Sequence, residues 1–154
     1  MPEEKPYGPG IESLFDVVAR LRAPGGCPWD REQTHESLRP YLLEETYELL
    51  EAIDANDDAK MKEELGDVLL QVAMHAEIAA EAGRFTAVDV SEGAAAKMVA
   101  RHPHVFGDVA VANADEVLRN WEHAKLDEAR RAGREGESVV DRVPSTLAPA
   151  ITSK

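Results

Sequence analysis

The stretch LLEETYELLEAIDANDDAKMKEELGDVLLQ, residues 42–71, places carboxylates beside leucines on two consecutive helical segments. Its apolar residues recur at helical spacing, and the short DANDD link at 54–58 interrupts that spacing with turn-forming residues. Two helices joined by so short a link pack antiparallel. The segment therefore predicts a helical hairpin, and any fold of this chain has to accommodate it.

The first helix of the hairpin carries acids on two different faces. At about 100° per residue, its apolar sector, which we expect to be buried, consists of Leu42, Leu43, Leu49, Leu50 and Ile53. Glu44 and Glu51 lie on the far edge, where solvent is expected. Glu45 and Glu48 lie between that edge and the leucines, and their i, i+3 spacing makes them neighbours.

The second helix places acids on the side that it should bury. Glu64 and Asp67, again at i and i+3, fall among apolar residues, and Gln71 and His75 continue the same stripe. Gly66 costs roughly 1 kcal/mol relative to alanine in a helix. Its presence favours a close approach of another helix at that point.

Carboxylates that face each other across the hairpin repel, and unpaired burial of even one costs several kcal/mol. They must therefore be protonated or neutralised by cations. Four hard oxygen ligands suit Mg²⁺ or Mn²⁺. From the residues alone, a metal site and a merely acidic, half-exposed hairpin both stay open.

The rest of the chain also follows a helical pattern, so the predicted fold class is all-α. We predict helices over 11–22, from about Thr34–Ser37 to Ala55, from an Asp57 or Asp58 cap to about Gly83, from about Val88 to Arg101 after a Thr86 cap, and from an Asn113–Glu116 capping box to a point before Gly133. Pro40 is then expected in the first turn of its helix, where proline is tolerated. Loops are predicted at 23–30 and 102–108. One domain is predicted over 11–133, between a flexible arm at 1–10 and a mobile tail at 134–154.

The overall composition excludes several classes of protein. With 30 acids against 17 bases the net charge is −13, so the chain is not expected to bind nucleic acid or an anionic membrane through its overall field. A single cysteine, Cys27, excludes an intramolecular disulfide framework. No apolar run approaches the roughly 20 residues of a membrane span. The N-terminus has no signal-peptide pattern, and we expect a cytoplasmic protein.

The acids of the hairpin are part of a longer pattern. Glu44-Glu45-x-x-Glu48 followed by Glu64-x-x-Asp67 resembles the EExxE and ExxD motifs of the MazG family of all-α nucleotide pyrophosphohydrolases. The family's other landmarks are resembled, in order, by GGCPWDREQTHESLRPYLLEETYELLEAI, EELGDVLLQVAMHAEIA, GRFTAVDV, KMVARHPHVFGD and VLRNWEHAKLDE. The resemblance covers about residues 11–145. ExxE alone is a weak signal, whereas these segments together are highly specific.

This resemblance implies hydrolysis of (deoxy)nucleoside triphosphates to a monophosphate and pyrophosphate, in a housecleaning or pool-control role. It implies Mg²⁺, with Mn²⁺ as a substitute, held by Glu45, Glu48, Glu64 and Asp67. It also implies a homodimer, or a dimer of dimers, in which a second subunit completes a four-helix-bundle core. Better-known bacterial members carry two such domains in tandem. This sequence resembles the N-terminal copy alone, which leaves its nucleotide preference open.

A triphosphate also needs cations from the protein and a proton acceptor. The candidate substrate contacts are Lys60, Lys97, Arg101, Trp121 and Lys125. Glu44 is the candidate general base, with a solvated surface acid as the alternative. Trp29 is interpreted as structural and Cys27 as inert. His102 and His104 are interpreted as turn-packing residues rather than metal ligands.

Three rival functions stand beside this one. A di-iron carboxylate bundle needs Glu-x-x-His on two helices, and only Glu32-x-x-His35 matches. A non-catalytic, acidic helical regulatory module explains the charge but does not need Glu64 and Asp67 on the buried side. A narrow-specificity enzyme for dUTP, or for oxidised and other non-canonical nucleotides, stays open.

Overall fold

Helices make up all the regular structure of the described residues. The computed structural model describes residues 4–133, and no strand is present among them. The helices are α1 (Ile11–Arg22), α2 (Pro28–Glu32), α3 (His35–Asp54), α4 (Asp58–Glu81), α5 (Ala87–Arg101), α6 (Pro103–Phe106) and α7 (Ala114–Arg131). The predicted all-α fold class is confirmed. None of these helices combines the length and the apolar character that crossing a membrane requires.

The described residues divide into two compact units, one ending at Glu92 and the other beginning at Gly93. The first unit contains α1 to α4, and α5 begins in it and ends in the second unit, which also contains α6 and α7. No feature of the sequence marked this division, and a single domain over 11–133 stays a prediction. The predicted mobile tail, 134–154, lies outside the described residues, as do the first three residues of the predicted arm.

The α3–α4 hairpin forms where its end signals predict. Thr34 and Ser37 make a capping box, in which each side-chain oxygen accepts from the other residue's backbone N–H. Asn56 turns the chain in the left-handed region, at a φ of 53°. Asp57 then caps α4 by accepting from the backbone N–H of Lys60 at 3.1 Å. The predicted hairpin is therefore built from local signals at both of its helix starts.

The other predicted end signals are also confirmed. Gly83 follows α4 in the left-handed region, at a φ of 70°. Thr86 and Asp89 bond each other's backbone N–H groups at the start of α5. Asn113 accepts from the backbone N–H of Glu116 at the start of α7. Short-range hydrogen bonds thus set where these helices begin and end.

Three local predictions are wrong. Pro28 starts the short helix α2 inside the first predicted loop, because proline suits the first helical position. Pro103 does the same for α6 inside the second predicted loop. Because α3 begins at His35, Pro40 lies in the second turn rather than the first. There it removes one backbone hydrogen bond without ending the helix.

A small core joins α1, α3 and α4. Its buried members are Val18, Leu38, Ala73 and Met74, with Phe15, Leu70 and Ile78 packed against them. Arg22, the last residue of α1, pairs with Glu81 near the end of α4 at 2.9 Å. The same guanidinium donates to the carbonyl oxygens of Asp30 and Gln33 beside α2. One side chain therefore holds the ends of three helices together.

Leu38→Ala is expected to lower the free energy of unfolding by about 2–5 kcal/mol, because truncating a fully buried leucine leaves a cavity. Leu38 is 1% exposed. Urea denaturation measures the effect. The control is Leu118→Ala at an exposed position of α7, which should change the free energy of unfolding by less than about 0.5 kcal/mol. Equal losses in both variants would contradict this assignment of the core.

The apolar sector predicted to be buried on α3 is largely exposed in the single chain. Its members Leu42, Leu43, Leu50 and Ile53 keep between 36% and 45% of their accessible surface. Within the single chain α3 buries a different stripe, which includes Leu38 and Ala52. The close helix approach predicted at Gly66 is wrong within this chain, since a Cβ there would meet no neighbouring atom within 4 Å.

Candidate metal centre

The buried stripe of α3 brings acids towards α4. Leu38, Glu45 and Ala52 are seven residues apart, so they share one helix face, and the first and last of them are buried. On α4 the same spacing joins Glu64 and Gln71, which are both buried. Packing of the two helices therefore turns carboxylates of both towards each other.

Four carboxylates converge between the two helices of the hairpin. Glu45, Glu48, Glu64 and Asp67 each offer one oxygen atom, and these four atoms lie within 4.8 Å of one another. They are the four acids that the sequence singled out as metal ligands. The structure thus brings this predicted set together in one place, with two members from α3 and two from α4.

Two oxygen atoms of the cluster are buried without a partner. Glu64 is only 6% exposed. Its Oε2 atom and the Oε2 atom of Glu45 are both inaccessible and accept no hydrogen bond. A buried, unpaired carboxylate oxygen is costly. The cluster therefore needs either protons or a cation.

Burial and neighbouring charges raise the pKa values of two carboxyl groups of the cluster, those of Glu45 and Glu64. Burial raises the pKa of Glu64 from its ordinary 4.5 to about 7, and the adjoining carboxyl group of Glu48 raises it further by hydrogen bonding and charge. Burial also raises the pKa of Glu45, followed by the charges of Asp67 and Glu48. Near neutral pH Glu64 is therefore partly protonated, and a bound cation would displace that proton.

These residues fit a hard divalent cation. All four donors are carboxylate oxygens, which Mg²⁺, Mn²⁺ and Ca²⁺ prefer over nitrogen and sulfur. A cation would satisfy the unpaired oxygen atoms of Glu45 and Glu64 and would also relieve the repulsion. The cluster can hold a metal ion, and the donor set does not choose among these hard cations.

Stability without metal is expected to fall as the pH rises through the range set by Glu64. The folded-state pKa of about 7 lies above the ordinary 4.5, so folding favours the protonated form. This contribution is fully present below about pH 4.5 and is lost as the pH rises through about 7. Urea denaturation in a chelator over this pH range measures it.

The matched control for this pH dependence is Glu64→Gln, whose amide does not titrate. Subtracting its stability profile from that of the unaltered chain isolates the one carboxyl group from the other acids. The difference should run downwards with rising pH. A flat difference would contradict the raised pKa.

The other candidates of the first unit lie on the surface. Glu44 is exposed on α3, beside Glu45 in sequence but outside the cluster. Lys60 is exposed in the first turn of α4. Trp29 makes an edge-on contact with Tyr41, at 5.9 Å between ring centroids. The roles predicted for Glu44 and Lys60 stay predictions.

The remaining candidates lie in the second unit, and two of them contact the ring of a third. Arg101 and Lys125 both lie over the ring of Trp121, at 5.8 and 5.2 Å from its centroid. Arg101 is also paired with Glu128 at 2.6 Å. Lys97 is exposed, and its charge helps to lower the pKa of Glu128 after that of Arg101. Substrate contact by these residues stays a prediction.

Sequence reasoning missed two partners of these groups. Glu128, which neutralises Arg101, lies 27 residues away, and no local pattern links the two residues. His35 and His75 contact each other although 40 residues separate them. The stripe of α4 pointed to His75, but nothing in the sequence marked its partner. Both contacts depend on how the helices pack.

Comparison with known proteins settles the family. The family model of the MazG nucleotide pyrophosphohydrolase domain matches residues 33–106. The chain carries a MazG domain. The matched residues contain all four clustered carboxylates, and the resemblance drawn from the sequence is confirmed.

Several relatives share this domain over most of the chain. The chain is 50% identical over 150 residues to the uncharacterized protein YabN of Bacillus subtilis, covering 97% of this chain and 30% of that protein. It is 49% identical over 142 residues to the nucleoside triphosphate pyrophosphohydrolase/pyrophosphatase MazG of Thermotoga maritima, covering 92% and 52%. It is 45% identical over 142 residues to the nucleoside triphosphate pyrophosphohydrolase of Escherichia coli K12, covering 92% and 53%. The chain thus spans between 30% and 53% of the length of these three relatives.

A solved structure supports the same fold. The crystal structure of a mazG-related protein from Thermotoga maritima superposes with a TM-score of 0.62 at 28% sequence identity. The match covers 74% of this chain and 97% of the other. The all-α fold of the MazG domain is therefore shared with a protein of known structure.

Proposed function

We propose that this chain hydrolyses nucleoside triphosphates to a nucleoside monophosphate and pyrophosphate with Mg²⁺, for which Mn²⁺ can substitute. The main support is the convergence of four carboxylates inside the MazG domain. The names of the Thermotoga maritima and Escherichia coli relatives add to it, at 45–49% identity. The proposed role is housecleaning or control of a nucleotide pool.

The proposed chemistry assigns the metal to Glu45, Glu48, Glu64 and Asp67. A metal bound there neutralises phosphate charge and lowers the pKa of a bound water. Burial of Glu64 strengthens its attraction to a cation, because the local dielectric is low there. Glu44 is proposed to accept the proton of the attacking water. The proposed phosphate and base contacts are Lys60, Lys97, Arg101, Trp121 and Lys125.

The proposal includes a homodimer, or a dimer of dimers, with a four-helix core. We call Leu42, Leu43, Tyr47, Leu50 and Ile53 the apolar face of α3, and each of them is 36–45% exposed in the single chain. On α4, Leu65 and Val72 are also exposed and share one face at seven-residue spacing. Contiguous exposed apolar residues mark protein–protein interfaces. A second copy of the hairpin would bury them.

The test is a panel of all ribo- and deoxyribonucleoside triphosphates, assayed with Mg²⁺, with Mn²⁺ and with a chelator. The readouts are pyrophosphate and nucleoside monophosphate, measured separately. Metal-dependent release of both in equal amounts is expected. Release of orthophosphate and a diphosphate instead would contradict attack at the α-phosphorus.

The same panel separates the rival functions. Activity on one nucleotide only, such as dUTP, would indicate a narrow-specificity enzyme. Activity on oxidised nucleotides, with none on the ordinary triphosphates, would also indicate a narrow-specificity enzyme. Silence on both, with nucleotide binding retained, would favour the regulatory module.

A further inference from the structure

Two histidines meet at the end of the hairpin that is farthest from its turn. The Nδ1 atoms of His35 and His75 are 2.7 Å apart, and their ring planes are parallel to within 2°. The second ring nitrogen of His35, Nε2, lies 2.5 Å from a guanidinium nitrogen of Arg84. These contacts connect the first residue of α3, the last third of α4 and the segment after α4.

Hydrogen-bond chemistry fixes the protons in this chain of contacts. Arg84 can only donate, so Nε2 of His35 must be an acceptor without a proton. A neutral His35 then carries its proton on Nδ1 and donates it to His75. Nδ1 of His75 is therefore an acceptor, and the proton of neutral His75 is on Nε2. The arrangement works only while both imidazoles are uncharged.

Burial favours the uncharged state that this arrangement needs. Burial lowers the pKa of His75 below its ordinary 6.5, and the charge of His35 lowers it further. Nε2 of His75 is inaccessible and has no partner. Charging this ring would add a proton at Nδ1, where it would oppose the proton that His35 donates. Among charged groups on the packed elements, Arg84 contacts His35, and Arg39 lies one turn along α3. On α1, which also packs against α4, the charged residue Arg22 is paired with Glu81.

The two histidines lie in register with the carboxylates. Glu48 acts directly on Glu64, and Asp67 on Glu45, and the His35–His75 contact continues the same antiparallel pairing of α3 with α4. At 1.5 Å per residue, His75 lies about 12 Å beyond Asp67 along α4. A sliding of one helix past the other would separate the imidazoles and the carboxylates together.

We propose that His35 and His75, held by Arg84, form a neutral imidazole clamp that sets the register of α3 against α4 and so positions the four carboxylates. The positioning effect on metal rests on the proposed function, whereas the clamp itself does not. His35 and His75 are positioning residues in this proposal, and neither touches the substrate.

The protonation pattern is tested first, by nitrogen NMR of the imidazoles of the full chain in chelator. At about pH 8 we expect the Nδ1–H tautomer for His35 and the Nε2–H tautomer for His75. Free neutral histidine prefers Nε2–H, so the His35 result is diagnostic. Finding Nε2–H in both rings would overturn the clamp. This measurement needs neither metal nor activity.

The coupling to the carboxylates is tested with His35→Leu, which cannot donate, and His35→Asn, whose amide donates to His75 without titrating. The probe is Mn²⁺ alone, titrated at about pH 8. We expect His35→Leu to bind Mn²⁺ roughly tenfold more weakly, the lower range for loss of a supporting contact at a metal site. His35→Asn should recover most of that loss. His123→Asn, at an exposed position of α7, is the control and should bind as the unaltered chain does.

The pH profile separates a clamp from simple packing. Because the folded pKa of His75 is lowered, the stability from the neutral clamp is present above about pH 6.5 and lost as the pH falls through that lowered pKa. The gap in urea midpoint between the unaltered chain and His35→Leu, in chelator, should therefore close at acid pH. A gap that persists unchanged at all pH values would overturn the proposal. If neither the unaltered chain nor any variant binds Mn²⁺, while the gap in urea midpoint closes at acid pH, the metal site is refuted and the clamp stays supported.

Discussion

Glu64→Gln is expected to abolish the proposed nucleotide hydrolysis, with a loss of roughly 10²–10³-fold or more, because the variant removes the charge of a proposed metal ligand. Asp67→Asn should have the same effect. The helical content should stay unchanged in both variants. In chelator at neutral pH, Glu64→Gln should be more stable than the unaltered chain, since a neutral amide replaces a buried carboxylate with a raised pKa.

The matched control is Glu63→Gln, the same chemical change at the neighbouring, exposed position. Its activity should equal that of the unaltered chain. Steady-state rates of pyrophosphate release, circular dichroism and urea denaturation provide the three readouts. Full activity in Glu64→Gln or in Asp67→Asn would remove these residues from the proposed site. Loss of activity in the control would show that total charge, rather than the cluster, is what matters.

The double variant Leu43→Gln/Leu50→Gln is expected to dissociate the proposed dimer. Both leucines lie on the apolar face of α3 and are 36–37% exposed in the single chain. In a two-fold interface the variant changes four buried leucines. At about 1.5 kcal/mol each, the loss of about 6 kcal/mol weakens association roughly ten-thousandfold. Sedimentation velocity over a range of protein concentrations measures this.

A control for the dimer is Glu51→Gln/Glu63→Gln, at one exposed position of α3 and one of α4. It should sediment as the unaltered chain does. Activity per chain should fall with dilution in the leucine variant, because the proposed bundle is completed by the second subunit. A folded and fully active monomer of the unaltered chain would refute the proposed assembly.

Much of the fold could be read from short stretches of sequence. Thr34 with Ser37, Asp57, and Asn113 with Glu116 are side-chain and backbone pairs a few residues apart, and they start α3, α4 and α7 as predicted. The helical spacing of apolar residues predicted the interiors of these helices. The short helices α2 and α6 were missed because the glycines and prolines around them also signal loops.

The convergence of the four carboxylates was also predictable, for a geometric reason. Each arm of the short hairpin carries an i, i+3 pair of acids beside its buried face. When the two buried faces pack, the two pairs are brought close together. Whether Glu44 or Glu45 joins the cluster depends on which face packs, and the wheel distinguished the two correctly. Leu42 and Leu50, which the wheel placed in the apolar sector, stay exposed in the single chain.

The sequence by itself determined the longer helices, their ends and the i, i+3 pair of acids on each arm of the hairpin, because each depends on residues within a few positions of one another. Only the tertiary structure decided which stripe of α3 is buried, that Arg101 is neutralised by Glu128, and that His35 meets His75. These contacts join residues 27 and 40 positions apart. They depend on the rotation and register of packed helices, which no local pattern encodes.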